Sequence, residues 1–485
     1  MLSYVVLAVL LLVGVAVFLR RPIQLLALAV FFLPWKALSL DLGARVSFYR
    51  VILLTMACVA VLHLVVRRNT CRERLKPHLA RSLPLFAYVF GLAVIQLPWL
   101  PKLQIVGGPL RAPAIRALLE PAWFFLLLSP ALLLPIWVTM PRVLSRLSRT
   151  YLLSLLILSL IGWVQLGVWL ASGSNILPLD LLLSVRASSL GAAHSLRAGV
   201  VHFRGTAILR MNSLAGEPKY FGQSLALGLI LLQVGWDEAL RARKTRVRTL
   251  GLWFLFFLTM LATLSTSGFY LWLLGTATYL VLRLTPYLSR SLPHRRKLAS
   301  IGAPAVLIGV GVLFVFLYNP TLRHTLTALA RMRTVSRSPL EDFDQAIFRF
   351  LRHSPKRALV GTGVGNANLY AMPYLPPFAR AYAQNTAFAA KIGILRIVSE
   401  TGILGLLIFV GWHIKESKAL ARHALLSPKS AIVLVLATST FLMLLARTEM
   451  LPYYAWCLGG VAALQSTPTT SSPRASSTPP MTDRW

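Results

Sequence analysis

The string Arg210-Met-Asn-Ser-Leu-Ala-Gly-Glu217-Pro218 sets a guanidinium and a carboxylate around a turn, immediately ahead of an apolar run. Arginine keeps its charge and offers paired donors to phosphate oxygens, so it suits a clamp for phosphate or diphosphate. Glu217 has two readings that the residues leave open. Pro218 fits the first position of a helix, and Glu217 before it would cap that helix and face the positive end of its dipole. Near a bilayer surface the same carboxylate would serve as a base or orient a hydroxyl. More arginines gather in two long segments. Residues 172–217 carry Arg186, Arg197, Arg204 and Arg210 with His194 and His202. Residues 319–385 carry Arg323, Arg331, Arg333, Arg337, Arg349, Arg352, Arg357 and Arg380 with His353, against Glu341, Asp342 and Asp344. Solvated surface charge accounts for most of these side chains, and a few are candidates for the clamp: Arg210 with Arg337 or Arg349, then Arg204 and Arg352. Cys58, Cys71 and Cys457 have no CxxC spacing and read as packing residues, so no metal site is expected.

The elements that must position these groups are membrane helices. The chain is 56% hydrophobic and 13% charged, with mean hydropathy +0.69, more apolar surface than a soluble fold can hide. The formal charge of +36 and pI near 11.4 do not indicate nucleic acid, because the cations sit in short runs between apolar stretches, where they meet lipid headgroups. Apolar segments near 2–19, 23–40, 50–66, 83–100, 114–139, 151–171, 218–236, 249–265, 268–286, 300–318, 386–412, 430–447 and 452–465 each approach the length that crosses a hydrocarbon layer of about 30 Å. The expected fold is an all-α polytopic membrane protein of about 12–13 spans, with two long external loops containing short helices. Loops bearing Arg67 to Arg81, Arg142 to Arg149, Arg241 to Arg248, Arg290 to Lys297 and Lys415 to Arg422 all fall on one side, which the positive-inside bias makes cytoplasmic. The divisions are then 1–171 for N-terminal spans, 172–217 for the first external loop and 218–318 for central spans. A second external loop occupies 319–385, C-terminal spans 386–465, and a Ser/Thr/Pro-rich cytoplasmic tail 466–485.

In order and spacing the chain resembles the O-antigen polymerase and ligase superfamily, bacterial inner-membrane enzymes that transfer glycans from a polyprenyl diphosphate carrier. The resemblance rests on Arg210 through Gly222, with Ser213 where a glycine is frequent. It continues in Ser265-Thr266-Ser267-Gly268, in Ser354-Pro355 followed by Gly361-Thr362-Gly363-Val364-Gly365, and in Glu400-Thr401-Gly402-Ile403-Leu404-Gly405. These cover roughly the C-terminal two-thirds of the chain. Gly361 to Gly365 is no nucleotide loop, since neither a strand before it nor a suitably placed lysine is present; it reads as a tight turn that admits close backbone approach. The ligases place a histidine ahead of Glu-Xaa-Gly, and Lys391 stands in that register here, leaving His353 or His324 to supply any imidazole.

The resemblance implies glycosyl transfer at the periplasmic face, without metal or cofactor. A sugar hydroxyl attacks the anomeric carbon of a glycan on polyprenyl diphosphate, and preorganised arginines stabilise the departing charge. It implies Arg210, Glu217, Arg337 and Arg349 as catalytic candidates, and Arg204, Arg352, Lys391 and His353 as substrate contacts. Partners would be the lipid-linked oligosaccharide, membrane lipids and chain-length or export proteins. The missing histidine favours a polymerase over an O-antigen ligase. A polysaccharide flippase or transporter and a non-catalytic export subunit are the competing classes, the transporter requiring charges within spans.

Overall fold

The computed structural model describes residues 2–36, 38–41, 45–66, 68–100, 113–174, 200–203, 206–234, 243–288, 342–377, 379–380, 389–424 and 428–466. The expected span 300–318, the tail from 467, Arg204 and Arg337 lie outside them. The described chain is built of α-helices with two small hairpins, and five helices are long and apolar enough to cross a membrane. These are Phe48–Val66, Cys71–Trp99, Pro113–Trp137, Pro141–Ser172 and Gly393–Lys418. Shorter apolar helices, among them Pro22–Phe32 and Ser430–Ala446, stand beside them.

In chain order the N-terminal helices are α1 (Leu2–Phe18), α2 (Pro22–Phe32), α3 (Phe48–Val66), α4 (Arg68–Gln96), α5 (Pro113–Trp137) and α6 (Pro141–Ser172). The central helices are α7 (Pro218–Val234), α8 (Arg243–Ala262) and α9 (Thr266–Leu288). Three short helices follow, α10 (Asp342–His353), α11 (Pro355–Val360) and α12 (Ala367–Ala371). The chain closes with α13 (Gly393–Ala424), α14 (Pro428–Ala446) and α15 (Leu451–Ser466).

Several boundaries differ from the hydropathy pattern. The apolar segment 23–40 is helical only to Phe32; Pro34 follows, and the chain turns into an antiparallel hairpin pairing Ser39–Asp41 with Arg45–Ser47. At the other extreme, α4 begins inside the basic stretch around Arg72 and Arg74, because Arg and Lys are good helix formers whatever their hydropathy. Within the expected segment 386–412, the described residues from 389 become helical at Gly393. A second hairpin, Val200–Phe203 against Thr206–Leu209, occupies the end of the first long segment.

Without water to drive burial, helices in lipid associate through close packing and polar contacts. Gly459 of α15 lies so near α5 that a Cβ there would stand 2.4 Å from the Pro130 carbonyl oxygen, and Gly268 of α9 abuts the Gly222 carbonyl of α7. At the basic end a polar knot ties α4, α13 and α15 together. Glu416 lies 2.9 Å from Arg81 and 3.2 Å from His78 Nδ1, while Gln465 donates to the Glu416 carbonyl and His78 Nε2 meets the Ser466 hydroxyl. Lone charges in this position would be costly, and mutual pairing offsets that cost.

The most consequential local feature is a break in α13. Gly402 has φ 73° and ψ 176°, far from helical values, and the Ser399 and Glu400 carbonyls before it are capped from outside the helix. The Thr362 N–H donates to Ser399 O at 3.0 Å and the Gly363 N–H to Glu400 O at 2.8 Å. The Gly361 to Gly365 run thus supplies the donors that a broken helix lacks. From its other side, α4 holds the run through the Tyr88 hydroxyl on Val360 O at 2.6 Å and Gln96 Nε2 on Gly361 O at 2.8 Å. Only glycine fits at Gly402, where a Cβ would stand 2.2 Å from the Leu359 carbonyl oxygen. Gly402→Ala is therefore expected to cost about 2 kcal/mol or more, from the positive φ and the clash together. Gly411→Ala, with no neighbour within 4 Å, should be neutral or slightly stabilising. Thermal unfolding of the two purified variants in lipid nanodiscs measures the contrast.

Candidate functional site

Where the broken helix meets its neighbours, a cavity of about 480 Å³ opens. Its walls come from the end of α2, the first turn of α3, the first half of α5, the start of α7, the first half of α13 and the junction of α14 with α15. These are the helix ends opposite the basic stretches of α4, α6, α8 and α13. Lys36, Arg50 and Arg396 bring cations to the cavity, and Glu120, Glu217, Glu400 and Glu449 bring carboxylates.

The charges form two groups. On the α5 and α13 side, Arg116 and Glu120 are 3.7 Å apart and Arg396 and Glu400 are 3.0 Å apart, each an i,i+4 pair along its helix. Gly365 fits between these two helices: its N–H is hydrogen-bonded to the Glu400 carboxylate, and a Cβ on it would stand 2.5 Å from Glu120 Cγ. The Arg50 guanidinium lies 5.2 Å from the Trp123 ring centroid on the same side.

On the α7 and α15 side, Lys219 Nζ bridges Glu217 at 3.1 Å and Glu449 at 2.8 Å. Lys36 Nζ stands 4.1 Å over the Tyr220 ring and donates to the Glu449 carbonyl at 3.3 Å. Lys36 lies beyond the end of α2, and burial pushes its ammonium down to about 8, although the Glu449 charge partly opposes this. Burial also pushes the Glu449 carboxyl up, but the Lys219 ammonium and its hydrogen bond more than reverse that and hold it below the ordinary carboxylate range.

Of the residues singled out from sequence, Glu217 lines the cavity. Arg210 lies elsewhere: its Nε and Nη2 donate to the Thr263 and Leu264 carbonyls, each at 3.3 Å, fastening the turn ahead of α9. The segment after it is held to α6, where Gln165 Oε1 accepts the Ser213 N–H at 3.0 Å and Gln165 Nε2 donates to Asn212 Oδ1 at 2.7 Å. Ser213 has φ 49°, a left-handed conformation that glycine adopts more easily, which gives the frequent glycine at that point of the resemblance a physical reason.

Arg349, Arg352 and His353 are exposed on α10, whose opposite stripe of Ala346, Ile347 and Phe350 packs into a small separate core with Met372 and Leu375. His353 Nδ1 is 2.8 Å from the Arg349 carbonyl. The Lys391 N–H donates to Asp344 Oδ1 at 2.8 Å, a contact that moors α10 to the start of α13. Arg349, Arg352 and His353 are thus not among the residues that line the cavity with Glu217, whereas the Gly361 and Glu400 elements meet.

Sequence reasoning passed over Lys36, Arg50, Glu120, Arg396 and Glu449. A signal was present: Lys36, Glu120 and Arg396 each interrupt a segment otherwise apolar enough to span, and such charges mark function by default. No family model matches the chain, and no curated protein is similar to it.

The depressed Lys36 can be measured directly. Competitive labelling with acetic anhydride, which attacks neutral amines, should give a midpoint near pH 8 for Lys36, with charge present below it and lost above. A midpoint above 10, that of an ordinary lysine, would contradict the burial described for it.

Proposed function

We propose that this protein is a polysaccharide polymerase at the outer face of the bacterial inner membrane, transferring glycan units from polyprenyl diphosphate onto a growing chain. One observation carries the reading. The two glycine-bearing elements of the resemblance meet at the break in α13, and the cavity beside them holds cations and carboxylates together. Such a mixture matches a substrate with a strongly anionic diphosphate joined to hydroxyl-rich sugars. Its position opposite the basic helix ends agrees with a site on the outer side, at the depth of a lipid-linked diphosphate.

In this reading Lys36, Arg50 and Arg396 stabilise charge on the departing diphosphate, the duty that sequence alone assigned to Arg210 with Arg337 or Arg349. Because these groups are fixed before reaction, they lose little energy to reorganisation as charge develops. Glu217 orients or deprotonates the acceptor hydroxyl. Arg210 supports the site from behind by fixing the α8 to α9 turn.

A second reading has its own support. A broken helix with paired charges in its first turns, as α13 shows at Arg396, Glu400 and Gly402, also suits a transporter of lipid-linked glycan.

Polymer profiling separates the readings. In cells lacking the protein and complemented with Arg50→Ala at wild-type membrane level, transfer should fall by about 10²- to 10³-fold, on the order of 2–4 kcal/mol of barrier. Single repeat units should then accumulate on the carrier, accessible from the outer face. Long polymer retained on its carrier would point to a ligase, and repeat units trapped on the cytoplasmic face would point to the transporter.

A further inference from the structure

Among the charged groups of the cavity, Glu449 is unlike the rest. It sits on the short connector between α14 and α15, and its side chain is only 12% exposed. Its two oxygens have different surroundings. Oε1 takes the Lys219 ammonium at 2.8 Å, whereas Oε2 is buried and has no hydrogen-bond partner. Glu400, by contrast, is occupied by Arg396 and the Gly365 N–H, and Glu217 is more open, with 36% of its side chain exposed beside the same Lys219.

An ionised oxygen withdrawn from water and left without a donor is costly. Lys219 keeps the charge on the group without covering the second oxygen. Glu449 itself lines the cavity, and turning Oε2 toward it would bring this oxygen to one O–H donor there. A sugar hydroxyl is such a donor.

We infer that Glu449 is the base that takes the acceptor proton, with Lys219 holding it and Glu217 left to orient the sugar. This rests on the glycosyl-transfer reading above. In the step, the acceptor hydroxyl gives its proton to Glu449 and its oxygen forms a bond to the anomeric carbon. The bond from that carbon to the diphosphate oxygen breaks, and polyprenyl diphosphate leaves with the electron pair. Glu449 then returns the proton to solvent or to the departing diphosphate.

The test uses the full chain in lipid nanodiscs, supplied with lipid-linked repeat units extracted from cells that lack the protein. Glu449→Gln should bind this substrate as the wild type does but transfer it about 10²- to 10⁴-fold more slowly. Added formate should restore part of the rate to Glu449→Ala, an effect that a purely structural glutamate would not show. Should the Gln or Ala chains fail to fold, Glu449→Asp keeps the charge, and a slowing of about tenfold or more at unchanged thermal stability supports the same role. Transfer by Glu449→Gln within about threefold of wild type would overturn the base and leave the transferase reading standing. Absence of transfer by the wild type itself would overturn both.

Discussion

The pairing of two carbonyls at the break in α13 with two N–H groups of the glycine run is the contact from which the site follows. A helix interrupted at membrane depth exposes backbone groups that lipid cannot satisfy, so the interruption survives only where other protein groups complete it. Thr362 and Gly363 complete it here. The same segment carries Gly365 into the space between Glu120 and Glu400, so one stretch of backbone caps the helix and seats the carboxylates on one side of the cavity. Gly402 permits the turn, Gly361 and Gly365 permit the approach, and Gln96 with Tyr88 prevents the run from lifting away.

Charge follows the same logic. Seven charged side chains line one cavity, three cationic and four acidic, and the four carboxylates are each paired with a cation, Glu120 with Arg116, Glu400 with Arg396, and Glu217 and Glu449 with Lys219. Lys219 is central because it serves Glu217 and Glu449 together. Lys36, sharing Tyr220 with Lys219, keeps its charge weakly, and an anion bound beside it would strengthen it. The result is a polar chamber whose charged groups are held by contacts within the protein, an arrangement that the proposed transfer would use to stabilise developing charge.

The helical architecture was legible in the sequence because hydropathy over a span reports bilayer length directly, and α3, α5 and α6 follow their apolar segments closely. Two departures have local causes. Pro34 and the hairpin after it shorten α2, and the basic stretch before residue 83 is helical because charge does not oppose helix formation. The site was only partly legible. Glu217, singled out because a cap and a functional carboxylate share a sequence signature, lines the cavity. Arg210 drew attention for its charge, yet its hydrogen bonds to Thr263 and Leu264 depend on a contact about fifty residues away that no local pattern encodes. Glu449 and Lys36 belong to different ends of the chain, and only the fold brings them together. The glycine and Glu-Xaa-Gly elements were noted separately, and their union at one helix break is a tertiary fact.

On the proposed function, the cavity beside the α13 break holds the lipid-linked glycan. The most direct test is cryo-electron microscopy of the wild-type chain in nanodiscs with lipid-linked repeat units bound. Diphosphate density is expected within hydrogen-bonding reach of Lys36, Arg50 or Arg396, with the first sugars between Glu217 and Glu400. Density for the diphosphate on the outer face of α10, against Arg349 and Arg352, with the cavity empty, would contradict it.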